Sequence, residues 1–183
     1  MSTIPTRTRY RAYPHPVSDI SIITTAVSVV FLTGSYAYKI NKPMNLGFLD
    51  FSTLEKRKDQ CEKEVRYNSL ASPELYLGTI VITQEQEGSI IVNGKGKVIE
   101  HGIKMEQMNP ETTMNNLLRK GEVSAEQIRE LAKRIYQFHS IAPCDEEVCS
   151  FGNFDCVKKN WDEVLEKVEK YKDKNISTDD FML

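Results

Sequence analysis

The chain has 183 residues, of which 40% are apolar and 27% charged, with 24 basic and 26 acidic side chains leaving a net charge of −2. That length suits one domain or slightly more, with enough chain to bury a core. The near balance of charge argues against a general polyanion binder, so nucleic acid is not an expected partner.

Residues 1–18 read as an irregular N-terminal arm, with Pro5, Pro14 and Pro16 and a solvated basic patch of Arg7, Arg9 and Arg11. The most apolar stretch, residues 20–32, is 13 residues long and includes Ser21, Thr24, Thr25 and Ser28. It is too short and polar to span a bilayer and lies too deep for a secretory signal. A cytoplasmic protein with no membrane partner is expected. Within this stretch, residues 20–25 read as a strand and residues 26–28 as a tight link. Residues 29–32 and 36–40 then form a hairpin about Thr33-Gly34-Ser35.

Lys39 interrupts the second arm of that hairpin, among residues that read as buried. Burying an ammonium is costly unless an anion pairs with it. A nucleotide phosphate together with a helix carboxylate would serve, as in phosphoryl-transfer sites that use a strand lysine. The plainer alternative is an edge-strand lysine that snorkels to water.

Residues 41–50 read as a loop holding Pro43 and Gly47. Ser52 with Glu55 three residues later forms a capping box that opens a helix to about residue 71. Leu54, Cys61, Val65 and Asn68 lie along one face of it. Residues 75–83, 89–92 and 98–105 read as strands, with Asn93-Gly94-Lys95-Gly96 turning between the last two. The sum is an antiparallel α+β sheet of five or six strands with one inserted helix.

Beyond Pro110 the pattern becomes helical. Residues 113–118 form a short helix, and Ser124 with Gln127 makes a second capping box. The helix behind it carries Ile128, Leu131, Ala132, Ile135 and Phe138 at helical spacing. A last helix, about 155–171, places Val157, Trp161, Val164, Leu165 and Val168 on one side. The organisation expected is an arm (1–18), a sheet lobe (19–104), an extended hinge (105–110) and a helical part (111–183).

The inserted helix offers Glu55, Glu62 and Glu64 as partners for Lys39. Two residues turn a helix through about 200°, so Glu62 and Glu64 cannot both face the sheet. Mid-helix Glu64 is the choice and Glu62 the alternative, since Glu55 belongs to the cap. The four cysteines are expected to be reduced thiols. His139, Cys144, Cys149 and Cys156 are zinc-ligand types, but their spacing is wider than structural zinc knuckles use.

Several short stretches, taken together, are distinctive. They are Val30-Phe31-Leu32-Thr33-Gly34, Ala37-Tyr38-Lys39, Leu46-Gly47-Phe48-Leu49-Asp50-Phe51-Ser52-Thr53-Leu54 and Cys61-Glu62-Lys63-Glu64 with Asn68. Further along come Leu75-Tyr76-Leu77-Gly78, Lys104-Met105, the helix from Leu131-Ala132 to Phe138-His139, and Asn160-Trp161-Asp162-Glu163. In order and spacing the chain resembles the aminoglycoside-phosphotransferase-like branch of the protein-kinase-like superfamily over about residues 13–170. More narrowly, it is similar to uncharacterised bacterial and archaeal members, some fused to a C-terminal P-loop ATPase domain.

The resemblance implies a kinase-like N-lobe followed by the first helices of an incomplete helical C-lobe. It makes Lys39 the α/β-phosphate lysine and Glu64 its ion-pair partner. The backbone of Glu106 and Met108 becomes the adenine contact, with Met105 setting pocket depth. Thr25 and Ser28 stand in the nucleotide-covering loop, where protein kinases carry glycines. ATP and Mg2+ are the implied cofactors of the full-length protein, and an unidentified small molecule is the acceptor.

The family's catalytic motif, His-Gly-Asp-x4-Asn, is missing from this chain. His101-Gly102 is followed by Ile103 and precedes the hinge, and Asp180-Phe181 is followed by Met182. No catalytic residue or metal ligand is therefore expected within it. The expectation is an N-terminal fragment: the nucleotide-binding part of an ATP-dependent small-molecule phosphotransferase, inactive alone. A non-catalytic, pseudokinase-type regulatory module is the alternative. Helix faces around Trp161 and Leu165 would be left exposed and are the expected route to a homodimer.

Overall fold

The computed structural model describes residues 11–169 together with Tyr171 and Ser177. Arg7, Arg9 and the Asp180-Phe181 pair fall outside these residues. The chain divides into two compact units, one ending at Ser140 and the other beginning at Ile141.

The first unit is built on one antiparallel sheet. Its strands are β1 (Ser21–Thr24), β2 (Ser28–Leu32), β3 (Tyr36–Asn41), β4 (Tyr76–Gln84), β5 (Ile90–Val92) and β6 (Lys97–Glu106), in the order β1-β2-β3-β6-β4-β5. Helix α1 (Leu54–Ala71) is inserted between β3 and β4. The α+β organisation read from the sequence is present. The β2–β3 turn needs a left-handed residue, and Gly34 supplies it at φ 95°. Because β6 inserts beside β3, β3 is an interior strand, hydrogen-bonded on both sides.

Alternation along β3 sends its side chains to two different environments. On one face Tyr38 is 1% exposed and packs with Ile80 and Val92, beside Tyr13, Phe31, Tyr36 and Ile82. Residues 12–15 lack regular structure but are not loose. The Val92 amide donates to the Ala12 carbonyl at 2.7 Å, and the His15 ring stacks on Tyr38 at 5.9 Å. Part of the irregular arm thus covers the outer face of the sheet. The other face of β3 carries Ala37 and Lys39, opposite Met105 and Ile103 of β6, and it faces α1.

The start of α1 differs from the sequence expectation by one residue. Thr53 is the N-cap, its hydroxyl accepting from the Lys56 amide at 3.2 Å. Ser52 is instead held by Asp50, whose Oδ1 accepts from both the Ser52 amide and hydroxyl at 2.9 and 2.6 Å. Hydrogen bonds from Lys56 and Ser52 hold the Asp50 carboxyl down at about 2. This local turn is the reason the predicted capping box does not form.

The sheet-facing stripe of α1 is Leu54, Arg57, Cys61, Glu64 and Val65; the predicted Asn68 is exposed and donates to the Tyr76 hydroxyl at 3.2 Å. Arg57 is 7% exposed, with Nε donating to Glu100 Oε1 at 2.8 Å and Nη1 to the Phe51 carbonyl at 2.9 Å.

After β6 a 3-10 turn (Pro110–Thr112) leads to α2 (Met114–Lys120) and α3 (Ala125–Ile141). The Ser124–Gln127 capping box is formed in both directions, at 3.2 and 2.7 Å. The second unit contains α4 (Glu146–Phe151) packed on α5 (Phe154–Glu169). Among the described residues no helix is long and apolar enough to cross a membrane.

Two substitutions test this account of the packing. Arg57→Ala strands the Glu100 carboxylate under α1 and is expected to destabilise the first unit by about 3 kcal/mol, read from the urea midpoint. Tyr38→Phe removes a buried hydroxyl that has no hydrogen-bond partner among the described residues. It is expected to leave stability unchanged or raise it by about 1 kcal/mol, measured in the same way.

Candidate functional site

β3 holds Lys39 between Val30 of β2 and Ile103 of β6. From α1, Glu64 meets it: Lys39 Nζ donates to Oε1 at 2.7 Å and to Oε2 at 2.9 Å. The two side chains are 25% and 11% exposed, so the pair is sheltered without being sealed. An ammonium has three donors, and the carboxylate occupies two of them. Glu62 points away, is more than half exposed and pairs with Lys58 at 3.5 Å.

Cys61 lies one turn before Glu64 and is 1% exposed. Burial pushes its thiol up to about 11, with the carboxylates of Glu64 and Glu100 adding to the shift and Lys39 opposing it. Cys61 therefore sits between two ion pairs, Lys39–Glu64 and Arg57–Glu100. The sequence reading missed the second pair altogether. The signal available was a cation at position 57 in phase with Leu54 and Cys61, but charge on a helix ordinarily reads as solvated.

Ser28 pairs with Asn41, Val30 with Lys39, and Ala37 with both Leu32 and Met105. Opposed residues share a face, so Ser28, Lys39 and half-buried Met105 all lie on the α1 side of the sheet. Ala37 is buried there, on the same face as Lys39.

The β1–β2 turn closes on itself. Thr25 Oγ1 accepts from the amides of Val27 and Ser28 at 3.3 and 2.9 Å, and it lies 2.8 Å from the Ser28 hydroxyl. Lys42 Nζ donates to the Thr25 carbonyl at 2.5 Å. The two hydroxyls proposed for the nucleotide-covering loop are thus committed to the turn, and Ser28 is only 2% exposed.

At the far end of β6 the chain is tied to both neighbours. The Glu106 amide donates to the Leu75 carbonyl at 2.9 Å and the Gln107 amide to the Ser35 carbonyl at 3.0 Å. Gln107 Oε1 also accepts from the Gly34 amide at 2.9 Å, a clamp the sequence did not reveal. Met108 follows at 62% exposure, and its backbone bonds to none of the described residues.

These contacts define one candidate site: the Lys39–Glu64 pair, Ala37 and Met105 beside it, and the exposed Met108 backbone beyond. No family model matches this chain. The chain is 26% identical over 168 residues to uncharacterised proteins of Mycobacterium tuberculosis and Mycobacterium bovis. The match covers 90% of this chain and 32% of each relative, so the chain spans about a third of the length of the curated relatives it matches. No solved structure matches it.

Elsewhere in the first unit, a groove of about 320 Å³ between the end of α1 and α3 is lined by Ala71, Leu131, Ile135 and Phe138, with Glu74 and Arg134 beside them. It includes none of the predicted site residues. Among the described residues no group of three or more His, Cys, Asp or Glu side chains is placed to hold a metal ion.

The environment of Cys61 makes its reactivity a probe of the site. At pH 8 the thiol stays protonated and covered, so iodoacetamide is expected to modify exposed Cys144 and Cys149 while Cys61 reacts only after denaturation. Peptide mapping of alkylated cysteines reads this directly; rapid native labelling of Cys61 would show that α1 does not stay seated.

Proposed function

We propose that this chain is the nucleotide-binding part of an ATP-dependent phosphotransferase that acts on a small-molecule alcohol. The observation that carries the reading is the Lys39–Glu64 pair, a strand ammonium held bidentately by a helix carboxylate. A lysine restrained in this way offers its remaining N–H to phosphate oxygens without paying again for side-chain order. The helix inserted after the lysine strand, and the extended segment after β6, are the arrangement expected of a kinase-like sheet lobe. The sequence resemblance supports the same reading.

On this proposal the nucleotide lies against the α1-side face of the sheet. Lys39 neutralises charge on the α/β-phosphates, Glu64 fixes its position, and Ala37 and Met105 present the apolar surface for the adenine ring. Backbone groups at Glu106 and Met108 supply the base edge contacts. Mg2+ would shield the phosphate oxygens when bound; the residues that ligate it and the catalytic base come from outside this chain. The chain alone is then a binder without turnover.

A second reading is favoured by the β1–β2 turn. The Thr25 and Ser28 hydroxyls are bonded to each other and to the turn backbone, so neither is left open to cradle a phosphate. A regulatory module that keeps the pair for structure alone fits that turn.

Isothermal titration with Mg-ATP separates the two. The phosphotransferase reading expects measurable binding that falls on the order of tenfold or more in Lys39→Met and in Glu64→Gln, and is unchanged in Glu62→Gln. Equal affinity in all four proteins would remove Lys39 from the site. No binding by the unmodified chain would favour the regulatory module.

A further inference from the structure

In the second unit, Cys144 and Cys149 bring their sulfurs to 3.4 Å of each other, and both residues are exposed. The helix start explains why they meet. Asp145 is the N-cap of α4, its carboxylate accepting from the Val148 amide at 2.8 Å. Cys144 therefore stands immediately before the cap and Cys149 on the fourth helical position. These are the two places that a hydrophobic staple joins across a helix start. Here both places hold thiols, so the cap that starts α4 also sets a pair of sulfurs face to face. The Cys149 amide donates to the Asp145 carbonyl at 2.9 Å, which fixes the backbone on which the second sulfur rides.

We propose that Cys144 and Cys149 form a reversible intrachain disulfide, a covalent form of the staple, by exchange with a low-molecular-weight disulfide. An S–S bond is about 2.05 Å long, so the sulfurs have roughly 1.4 Å left to close. Both lie where a small disulfide can reach them.

The order of steps follows from the surroundings of the two thiols. The Cys149 thiol is held protonated by its hydrogen bond with Cys144 and by negative charge at Cys144 and Asp145. Cys144, which stands before the Asp145 cap and outside the helix while Cys149 lies within it, is taken as the attacking sulfur. Its thiolate displaces one thiolate from the small disulfide and leaves a mixed disulfide on Cys144. Capping Cys144 removes the group that kept Cys149 protonated. The Cys149 sulfur then attacks Cys144 Sγ, its proton passing to the second departing thiolate. The two protein thiols lose two electrons in all, and the small disulfide is reduced to two thiols. Excess monothiol or dithiol reverses both steps.

Cys61 and Cys156 do not enter this chemistry. Cys61 is buried in the other unit, and Cys156 lies on α5 with its amide donating to Asn153 Oδ1 at 2.8 Å, so it occupies neither staple position of α4.

The test uses the whole chain with glutathione disulfide as oxidant, alkylation of remaining thiols under denaturing conditions, and mass spectrometry of the intact protein and its peptides. The expected product has lost two of the four cysteine thiols and retains no glutathione. Its tryptic peptide 135–158, which holds Cys144, Cys149 and Cys156, carries one alkyl group, on Cys156. Cys149→Ser is expected to stop at a glutathione adduct on Cys144, and Cys156→Ser to form the bond as the parent does. Dithiothreitol should restore both thiols. A parent protein that retains glutathione, one that keeps all four thiols, or one that links Cys156 would each overturn the proposal.

Discussion

Two ion pairs occupy the seam between α1 and the sheet, and each is stable there only because its partner stays. Lys39–Glu64 joins the helix to β3 and Arg57–Glu100 joins it to β6. Removing one member of such a sheltered pair leaves an uncompensated charge, so the helix is held in rotation as well as in contact. Arg57, Cys61 and Glu64 lie on one stripe, and turning α1 by a single residue would swing both charges off their partners. Cys61 between them is small enough to let the helix approach closely. The geometry at Lys39 is thus inherited from the whole helix–sheet seam.

The opposite side of the sheet supplies the rigidity that this seam requires. Tyr38, next to Lys39 in sequence, is fixed among Ile80, Val92 and the rings of Tyr13 and His15. Burial pushes its phenol up to about 12, with Tyr13 and Tyr36 contributing. It therefore stays neutral on the apolar side while its neighbour carries charge on the other. Lys104, opposite Tyr38, lies 3.5 Å from the Tyr36 ring centroid, so even the cation on this face is taken up by an aromatic surface.

The choice between Glu64 and Glu62 was legible in the sequence because helix phase alone decides which carboxylate can look at the sheet. Most of the strands were legible because glycine, proline or asparagine bounds their apolar runs; β1 and β2 are parted only by Thr25-Ala26-Val27, and the expected count was five or six. Ser124 and Gln127 gave a true capping box, whereas Ser52 and Glu55 gave a false one. A neighbouring aspartate at position 50 captured Ser52, and sequence spacing does not register such competition. Arg57 was hidden because its value depends on Glu100, which reaches it only after a further hairpin has formed. The closed turn at Thr25 was hidden for a similar reason: the residue types suit both an internal bond and a ligand, and only the folded geometry of the turn distinguishes them. Short α4 lacks enough residues for any periodicity to show.

The clamp formed by Gln107 has a further consequence. By bonding to both Gly34 and Ser35, it fixes the segment after β6 to the tip of the β2–β3 hairpin. Lys39 lies four residues along the same strand, a separation of roughly 13 Å at the usual strand rise. A pleated, doubly bonded strand does not stretch or compress to suit its guest. Any single molecule that touched both the backbone beyond Gln107 and the ammonium of Lys39 would have to bridge that backbone separation, adjusted by the reach of the lysine side chain. On the proposed nucleotide-binding reading, the interior strand would act as a gauge, setting a length before any side chain selects by chemistry.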